Sequence, residues 1–165
     1  MAGDALARMV AEQVAVDCAL HDVEGVLTGS VIARLLPLLR LAGDAGEAAG
    51  LVVLGDLAPP SPSRSHELVT SEPQRSGATV CRSFRWRTCS YRTLFEELTG
   101  QLDARLAESG VILSVEGVYV PAAGLRDHAL GAQAARRAAE ATVRAFLGHL
   151  RSALEQAGES ATSSA

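Results

Sequence analysis

The last third of the chain alternates apolar and polar positions with the period of an α-helix. Between Arg126 and Ala157, apolar residues recur every three or four positions, at Ala135, Ala139, Val143, Phe146, Leu150 and Leu154. This spacing places them along one side of a helix, with arginine, glutamine and glutamate opposite. We therefore predict a long amphipathic helix, in which Glu140 and Arg144 form an ion pair. A small, polar, disordered tail is predicted to follow over residues 158–165.

The middle of the chain combines two kinds of pattern. Alternation of apolar and polar residues predicts strands at Ala78–Thr88 and Val111–Val120, and a shorter strand at His66–Thr70 before a turn over Pro73–Gly77. Between the two longer strands, apolar residues recur at steps of three, four and four, at Phe95, Leu98, Leu102 and Leu106. This helical spacing predicts a helix from Tyr91 to Glu108, with Ser90 as its N-cap.

The N-terminal third has a less regular pattern. Apolar residues at helical spacing predict a helix over residues 4–13, whereas the run Val14–Leu20 fits either a continuation of that helix or a strand. Val31–Leu41 predicts a second helix, in which Pro37 removes a backbone donor and causes a kink or a break. A loop and then a buried strand at Leu51–Leu54 are predicted to follow.

These elements together predict an α+β fold, with a small, mostly antiparallel sheet and helices packed mainly on one face. The last of those helices is the long C-terminal one. A length of 165 residues fits a single domain, which we place at 1–157. Three prolines among residues 59–62 interrupt regular structure, and we interpret the Pro/Ser-rich segment 57–65 as a surface loop within that domain.

The composition excludes several classes of function. All 15 basic residues are arginine, so a Schiff-base lysine and a phosphate loop ending in Gly-Lys are excluded. A net charge of −4 does not favour nucleic acid as a partner. There is no basic and apolar leader at the N-terminus and no apolar run of membrane-spanning length. We expect a cytoplasmic protein of bacterial origin with no membrane partner.

The most distinctive chemical feature is an arginine-rich strand. Between Ser61 and Arg92 there are six arginines and only two glutamates. In the predicted strand, Arg85 and Arg87 share one face, while Arg82 shares the other with aromatic residues. Arginine binds carboxylates and phosphates through paired hydrogen bonds, so these three residues are candidate ligands for an anion. The alternative is a solvent-exposed strand whose like charges discourage aggregation.

A short similarity links two parts of the chain. Asp22–Val26 and Ser114–Val118 share the sequence Val-Glu-Gly-Val, which fits either an internal duplication or chance. We predict both as strands. A half-buried carboxylate beside a glycine can act as a base, so Glu116 is the candidate catalytic residue. The alternative is that Gly117 marks a bulge and Glu116 faces water or pairs with an arginine.

Metal and nucleophile motifs are weak. Cys18, His21, Cys81 and Cys89 are suitable zinc ligands by type, but Cys81 and Cys89 are too far apart in sequence for a zinc knuckle. We therefore predict no metal and no cofactor. No nucleophile elbow and no dinucleotide fingerprint occur.

Two functional hypotheses remain. The first is binding of a small anionic metabolite, carboxylated or phosphorylated, or simple acid–base chemistry on it. Arg82, Arg85 and Arg87 would bind that ligand and Glu116 would be the acid or base. The second is a non-catalytic, oligomeric accessory or protein-interaction module. In either case we expect a homo-oligomer, most simply a dimer, formed through the apolar side of the long helix or its neighbouring alanine-rich turns.

Overall fold

A six-stranded antiparallel sheet forms one layer of the computed structural model, which describes residues 7–28, 31–55, 65–89 and 94–164. Its strands are β1 (Arg8–Val16), β2 (Ser65–Thr70), β3 (Gln74–Ser76), β4 (Thr79–Cys89), β5 (Phe95–Ala107) and β6 (Gly110–Pro121). The order across the sheet is β1–β6–β5–β4–β2, and the short β3 pairs with the beginning of β4.

Three helices form the second layer: α1 (Leu20–Thr28), α2 (Val31–Val53) and α3 (Ala129–Ser163). α3 lies across β1, β6 and β5, and α2 packs along α3. This arrangement confirms the predicted α+β class, with a long C-terminal helix over an antiparallel sheet.

The core lies between the inner face of the sheet and α3. All six apolar residues of the predicted helical stripe are buried, from Ala135 to Leu154. The polar side of α3 differs from expectation: Glu140 pairs with Arg136 at 2.8 Å, and Arg144 reaches Glu12 on β1 at 2.7 Å. Arg144 therefore links α3 to the sheet instead of pairing within its own helix.

Small residues bring α2 and α3 close together. A Cβ atom added at Gly46 would lie 1.8 Å from Oγ1 of Thr142 and 2.6 Å from the carbonyl oxygen of Ala138, both on α3. At Gly50 an added Cβ would lie 2.8 Å from the carbonyl oxygen of Ala134. The predicted loop and the predicted strand at Leu51–Leu54 are wrong, because α2 continues through Val53. The glycines in this segment allow contact between the two helices, and Pro37 lies inside α2.

The predicted helix Tyr91–Glu108 is also wrong, because its described part is strand β5. Steps of four, as from Leu98 to Leu102, keep side chains on one face of a strand as well as of a helix. The step of three from Phe95 to Leu98 spans a bulge between Phe95 and Glu97, which leaves both side chains in the core. Ser90 and Tyr91 lie outside the described residues.

The N-terminal segment is a strand where a helix was predicted over residues 4–13. β1 pairs with β6 from Arg8 to Val16, which resolves the open question for the first part of Val14–Leu20 in favour of a strand. α1 then begins at Leu20. Residues 1–6 lie outside the described part of the chain.

Three smaller predictions also need comment. The turn predicted at Pro73–Gly77 contains β3. The predicted strands at 66–70, 78–88 and 111–120 are confirmed as β2, β4 and β6, to within one residue at every end. The tail predicted at 158–165 is helical as far as Ser163. Most of the predicted loop 57–65 lies outside the described residues, and Ser65 begins β2.

The two Val-Glu-Gly-Val segments have different structures. Ser114–Val118 lies in strand β6, as predicted, but Asp22–Val26 lies in helix α1. In β6 the alternation of Leu113, Val115 and Tyr119 continues on both sides of the motif and fills the core. The prediction of a strand at Asp22–Val26 is therefore wrong, since neighbouring residues decide the structure of this motif.

No single helix in the described residues has the length and apolar character needed to cross a bilayer. α1 and most of α2 meet that criterion only when taken together, and they are bent by 94° relative to each other.

Candidate functional site

The two faces of β4 separate the three candidate arginines. Arg85 and Arg87 are exposed on the outer face of the sheet, whereas Arg82 lies on the inner face beside Phe84 and Trp86. This separation follows from the alternation of side chains along a strand. Arg82 is therefore the only one of the three directed towards the helices.

The Arg82 guanidinium is held by two polar groups. Nη1 donates a hydrogen bond to the main-chain carbonyl oxygen of Leu27, and Nη2 donates to Oγ1 of Thr70 at 3.0 Å. The third nitrogen, Nε, is buried, and its N–H has no hydrogen-bond partner among the described residues. An unsatisfied buried donor of a charged group is costly, so this atom marks a place where a further acceptor would be favourable.

The charge of Arg82 is balanced by a helix end. Leu27 lies in the last turn of α1, where the free carbonyl groups carry partial negative charge. No carboxylate within the described ranges forms an ion pair with Arg82. The guanidinium is thus met by carbonyl dipoles and not by a carboxylate, so it would attract an anion that approaches Nε.

Arg82 borders a small interior cavity between the sheet and the helices. The space open to a water-sized sphere is about 20 Å³, enough for about one water molecule. Thr70, Arg82 and Thr142 line it together with apolar side chains, but the surface exposed inside it is apolar. The apolar lining consists of Leu35, Leu39, Leu68, Phe84, Leu98, Leu102, Val115, Val143 and Phe146.

The other predicted site residues lie on the outer face. Arg87 pairs with Glu97 at 3.2 Å, and Arg85 lies opposite Thr99 of β5. Glu116 is exposed on β6 and borders a groove of about 480 Å³, which we call the outer groove. That groove also contains Asp103 but none of the three arginines. Its negative charge is unsuited to an anion.

Two glycines face each other in the outer groove. Gly100 on β5 and Gly117 on β6 are register partners, and a Cβ on either would lie 2.9 Å from the other's Cα. Gly117 therefore permits close approach of two strands. The register shift in β5 lies instead between Phe95 and Glu97.

Aromatic residues form a contact cluster on the inner face of the sheet, beside the cavity. Trp86 stacks on His66 with ring centroids 5.7 Å apart, and Phe95 meets both Trp86 and Tyr119 edge to face. Burial is the main cause that raises the pKa of Tyr119 above its ordinary value. The neutral phenol is the form that this core favours.

The described cysteine and histidine side chains do not form a metal-binding cluster. The described residues contain no cluster of three or more His, Cys, Asp or Glu side chains suited to a metal ion. Cys18 and Cys81 are free thiols, and the side chain of Cys89 lies outside the described part. Burial, followed by the nearby charges of Asp22, Glu155 and Asp17, raises the pKa of Cys18.

Sequence reasoning identified Arg82 but missed its surroundings. Leu27, Thr70 and Thr142 come from α1, β2 and α3, and no local pattern connects them with β4. The signal present in the sequence was an arginine between apolar residues on the buried face of a strand. Glu24, grouped with Glu116 by the shared motif, instead pairs with Arg75 at 2.7 Å.

Comparisons with known proteins give structural likeness at low identity. No family model and no curated protein matches the chain. The crystal structure of TTHA0849 from Thermus thermophilus is 13% identical with a TM-score of 0.49, over 91% of this chain and 99% of that chain.

Two further solved structures are described as aromatase/cyclases. The di-domain ARO/CYC StfQ of the steffimycin biosynthetic pathway is 13% identical, with a TM-score of 0.47, over 94% of this chain and 52% of that chain. The Zhui aromatase/cyclase from Streptomyces sp. R1128 is 17% identical, with a TM-score of 0.38, over 87% and 93%.

Proposed function

We propose that this protein binds a small, largely apolar molecule that carries one carboxylate or similar anion, with the anion on Arg82. The observation that carries the proposal is the buried Nε of Arg82, which has no acceptor among the described residues, in a side chain that lines an otherwise apolar cavity. A ligand oxyanion would accept from Nε and Nη2 together, in the forked geometry that arginine offers to carboxylates.

The size of the cavity determines how such a ligand enters. A space of about 20 Å³ does not hold an organic anion. Leu35 and Leu39 of α2 line it, so binding requires these side chains to withdraw. The expected signature is a ligand that binds slowly and raises the melting temperature, because it binds only the folded state.

The test compares two probes that differ in charge, decanoate and decanol. Isothermal titration calorimetry on the wild type is expected to show binding of decanoate that is at least tenfold tighter than that of decanol. Arg82→Gln should weaken decanoate binding by about ten- to a hundredfold, the range expected for a charge-assisted pair. Decanol binding should change little.

The matched controls are Arg85→Gln and Arg87→Gln, which remove the same charge from the outer face of the same strand. Both should bind decanoate as the wild type does. If all three variants lose equal affinity, or if none does, the cavity proposal is wrong. Loss in Arg85→Gln alone would instead favour an anion site on the outer face.

Acid–base chemistry by Glu116 does not belong to this proposal. Glu116 and Arg82 lie on opposite faces of the sheet, so the two side chains cannot act on one small ligand.

A second candidate is the oligomeric module. The stripe from Ala135 to Leu154 is buried within the chain, so it does not offer the predicted dimer surface. Exposed apolar side chains remain at Leu41 and Val52 of α2 and at Leu130 of α3. We propose these as the contact if a dimer forms. Light scattering would then give twice 17.2 kDa for the wild type and 17.2 kDa for Val52→Glu, whereas the lower mass in both would exclude this dimer.

A further inference from the structure

A second cavity adjoins the first on the helical side of the molecule. It lies between α1, α2 and α3, has a volume of about 470 Å³ and opens to solvent; we call it the helix groove. Its lining is mainly apolar, with Val26, Leu38, Leu150 and Leu154 among its members. An apolar concavity of this size is large enough for an alkyl or aryl group.

One residue is common to the linings of the helix groove and the interior cavity. Leu35 lines both spaces. The anion anchor also lies near this boundary, because Arg82 donates to the carbonyl oxygen of Leu27 and the preceding residue of α1, Val26, lines the helix groove. A ligand whose charged end is on Arg82 thus has an apolar space beside it.

We infer that the helix groove holds the apolar tail of the ligand, and that Leu35 is the partition that moves aside when the ligand enters. This inference rests on the proposed function and names its ligand class: an elongated amphipathic acid, with its carboxylate at Arg82 and its chain past Leu35. The interior cavity, which has room for about one water molecule, is too small to hold such a ligand by itself.

Charged residues that line the helix groove offer an alternative site for the carboxylate of the ligand. Arg34 lines it and donates to the carbonyl oxygen of Gly25 at 3.3 Å, and His21 and Asp22 pair at 3.2 Å. If the carboxylate bound at Arg34 instead, the ligand would lie in the groove alone. Arg34→Gln distinguishes the two orientations, since it leaves Arg82 intact.

The test is a chain-length series of hexanoate, decanoate and tetradecanoate on the folded full chain. Burial of each additional methylene in the groove should tighten binding by about fourfold, the equivalent of its transfer free energy. Gly25→Leu should remove this dependence, because a Cβ at Gly25 meets nothing within 4 Å and the new side chain would occupy the groove. Hexanoate binding should change little.

Gly148→Leu is the matched control. Gly148 is also an exposed helical glycine with open space around its Cβ position, but it does not line the groove. It should keep the dependence on chain length. If Gly25→Leu does not fold, Ala153→Leu fills the same groove from α3 and should have the same effect.

The outcomes separate this inference from the proposed function. Binding that depends on Arg82 but is equally tight for all three acids, or equally dependent on length in Gly25→Leu and Gly148→Leu, overturns the groove assignment alone. Binding that is lost in Arg34→Gln and kept in Arg82→Gln overturns both. Both are supported if Arg82→Gln loses affinity for the acids and if only the groove-filling variants lose the dependence on chain length.

Discussion

The guanidinium of Arg82 on β4 donates a hydrogen bond to the main-chain carbonyl oxygen of Leu27 in the last turn of α1. This contact places a cation at the negative end of a helix and ties that helix to the sheet. The same guanidinium is the proposed anion anchor. We therefore expect binding of the proposed ligand to be coupled to the position of α1, because both depend on the orientation of one side chain.

We expect Arg82→Gln to destabilise the ligand-free protein by about 1–3 kcal/mol, because it removes a charge-assisted bond and leaves the Leu27 carbonyl without this donor. Arg85→Gln, on the exposed face of the same strand, should change stability by less than about 0.5 kcal/mol. Urea unfolding followed by circular dichroism measures both. Equal effects of the two substitutions would show that the Leu27 contact contributes nothing to stability.

The strands and helix that were predicted correctly have patterns with only one interpretation. β4 and β6 alternate over about ten residues, and α3 keeps its stripe over twenty. β5 could not be distinguished from a helix, since steps of four fit both periods and a bulge supplies the step of three. Its identity as a strand is decided by pairing with β4 and β6, which is a long-range effect.

The same distinction between local patterns and long-range effects applies to the candidate site. That Arg82 and Arg85 lie on opposite faces follows from local alternation and was predictable. Which face carries the cavity was not, because it depends on where α2 and α3 pack. The glycines of α2 illustrate the difficulty: Gly46 weakens helix propensity locally but allows the contact with Thr142 that holds the two helices together.

A test of that helix contact is Gly46→Ala. Its Cβ would overlap the Thr142 hydroxyl and the Ala138 carbonyl oxygen, so we expect destabilisation by about 3 kcal/mol in spite of the better helix propensity of alanine. Gly148→Ala, with open space around its Cβ, should instead stabilise by about 0.5–1 kcal/mol. Thermal unfolding of the two variants should thus shift in opposite directions, and a shift of the same sign would contradict the close packing of α2 on α3.

The raised pKa of Tyr119 predicts a loss of stability at alkaline pH. Burial favours the neutral phenol, so the stabilising contribution is complete below the ordinary pKa of 10 and is lost as pH rises through the higher value in the folded protein. Tyr119→Phe should reduce the decline in unfolding free energy above that pH. The raised pKa of Cys18 acts in the same direction from its ordinary value of 9.0, so some decline should persist. Superimposable profiles for wild type and Tyr119→Phe would exclude a role for this phenol.

Trp86, the only tryptophan of the chain, reports directly on whether this core is a single cooperative unit. It is 0% exposed and lies between the ring of His66, stacked at 5.7 Å, and the edge of Phe95. Iodide should therefore leave its fluorescence nearly unquenched in the native protein and quench it strongly after unfolding in urea. Since β2, β4 and β5 all contribute to this cluster, the quenching transition should coincide with the loss of helix signal in circular dichroism, as two-state unfolding requires. A quenching transition at lower urea than the helix transition would mean that the sheet opens while α2 and α3 stay packed, and native quenching as strong as that of the unfolded chain would contradict the burial of Trp86.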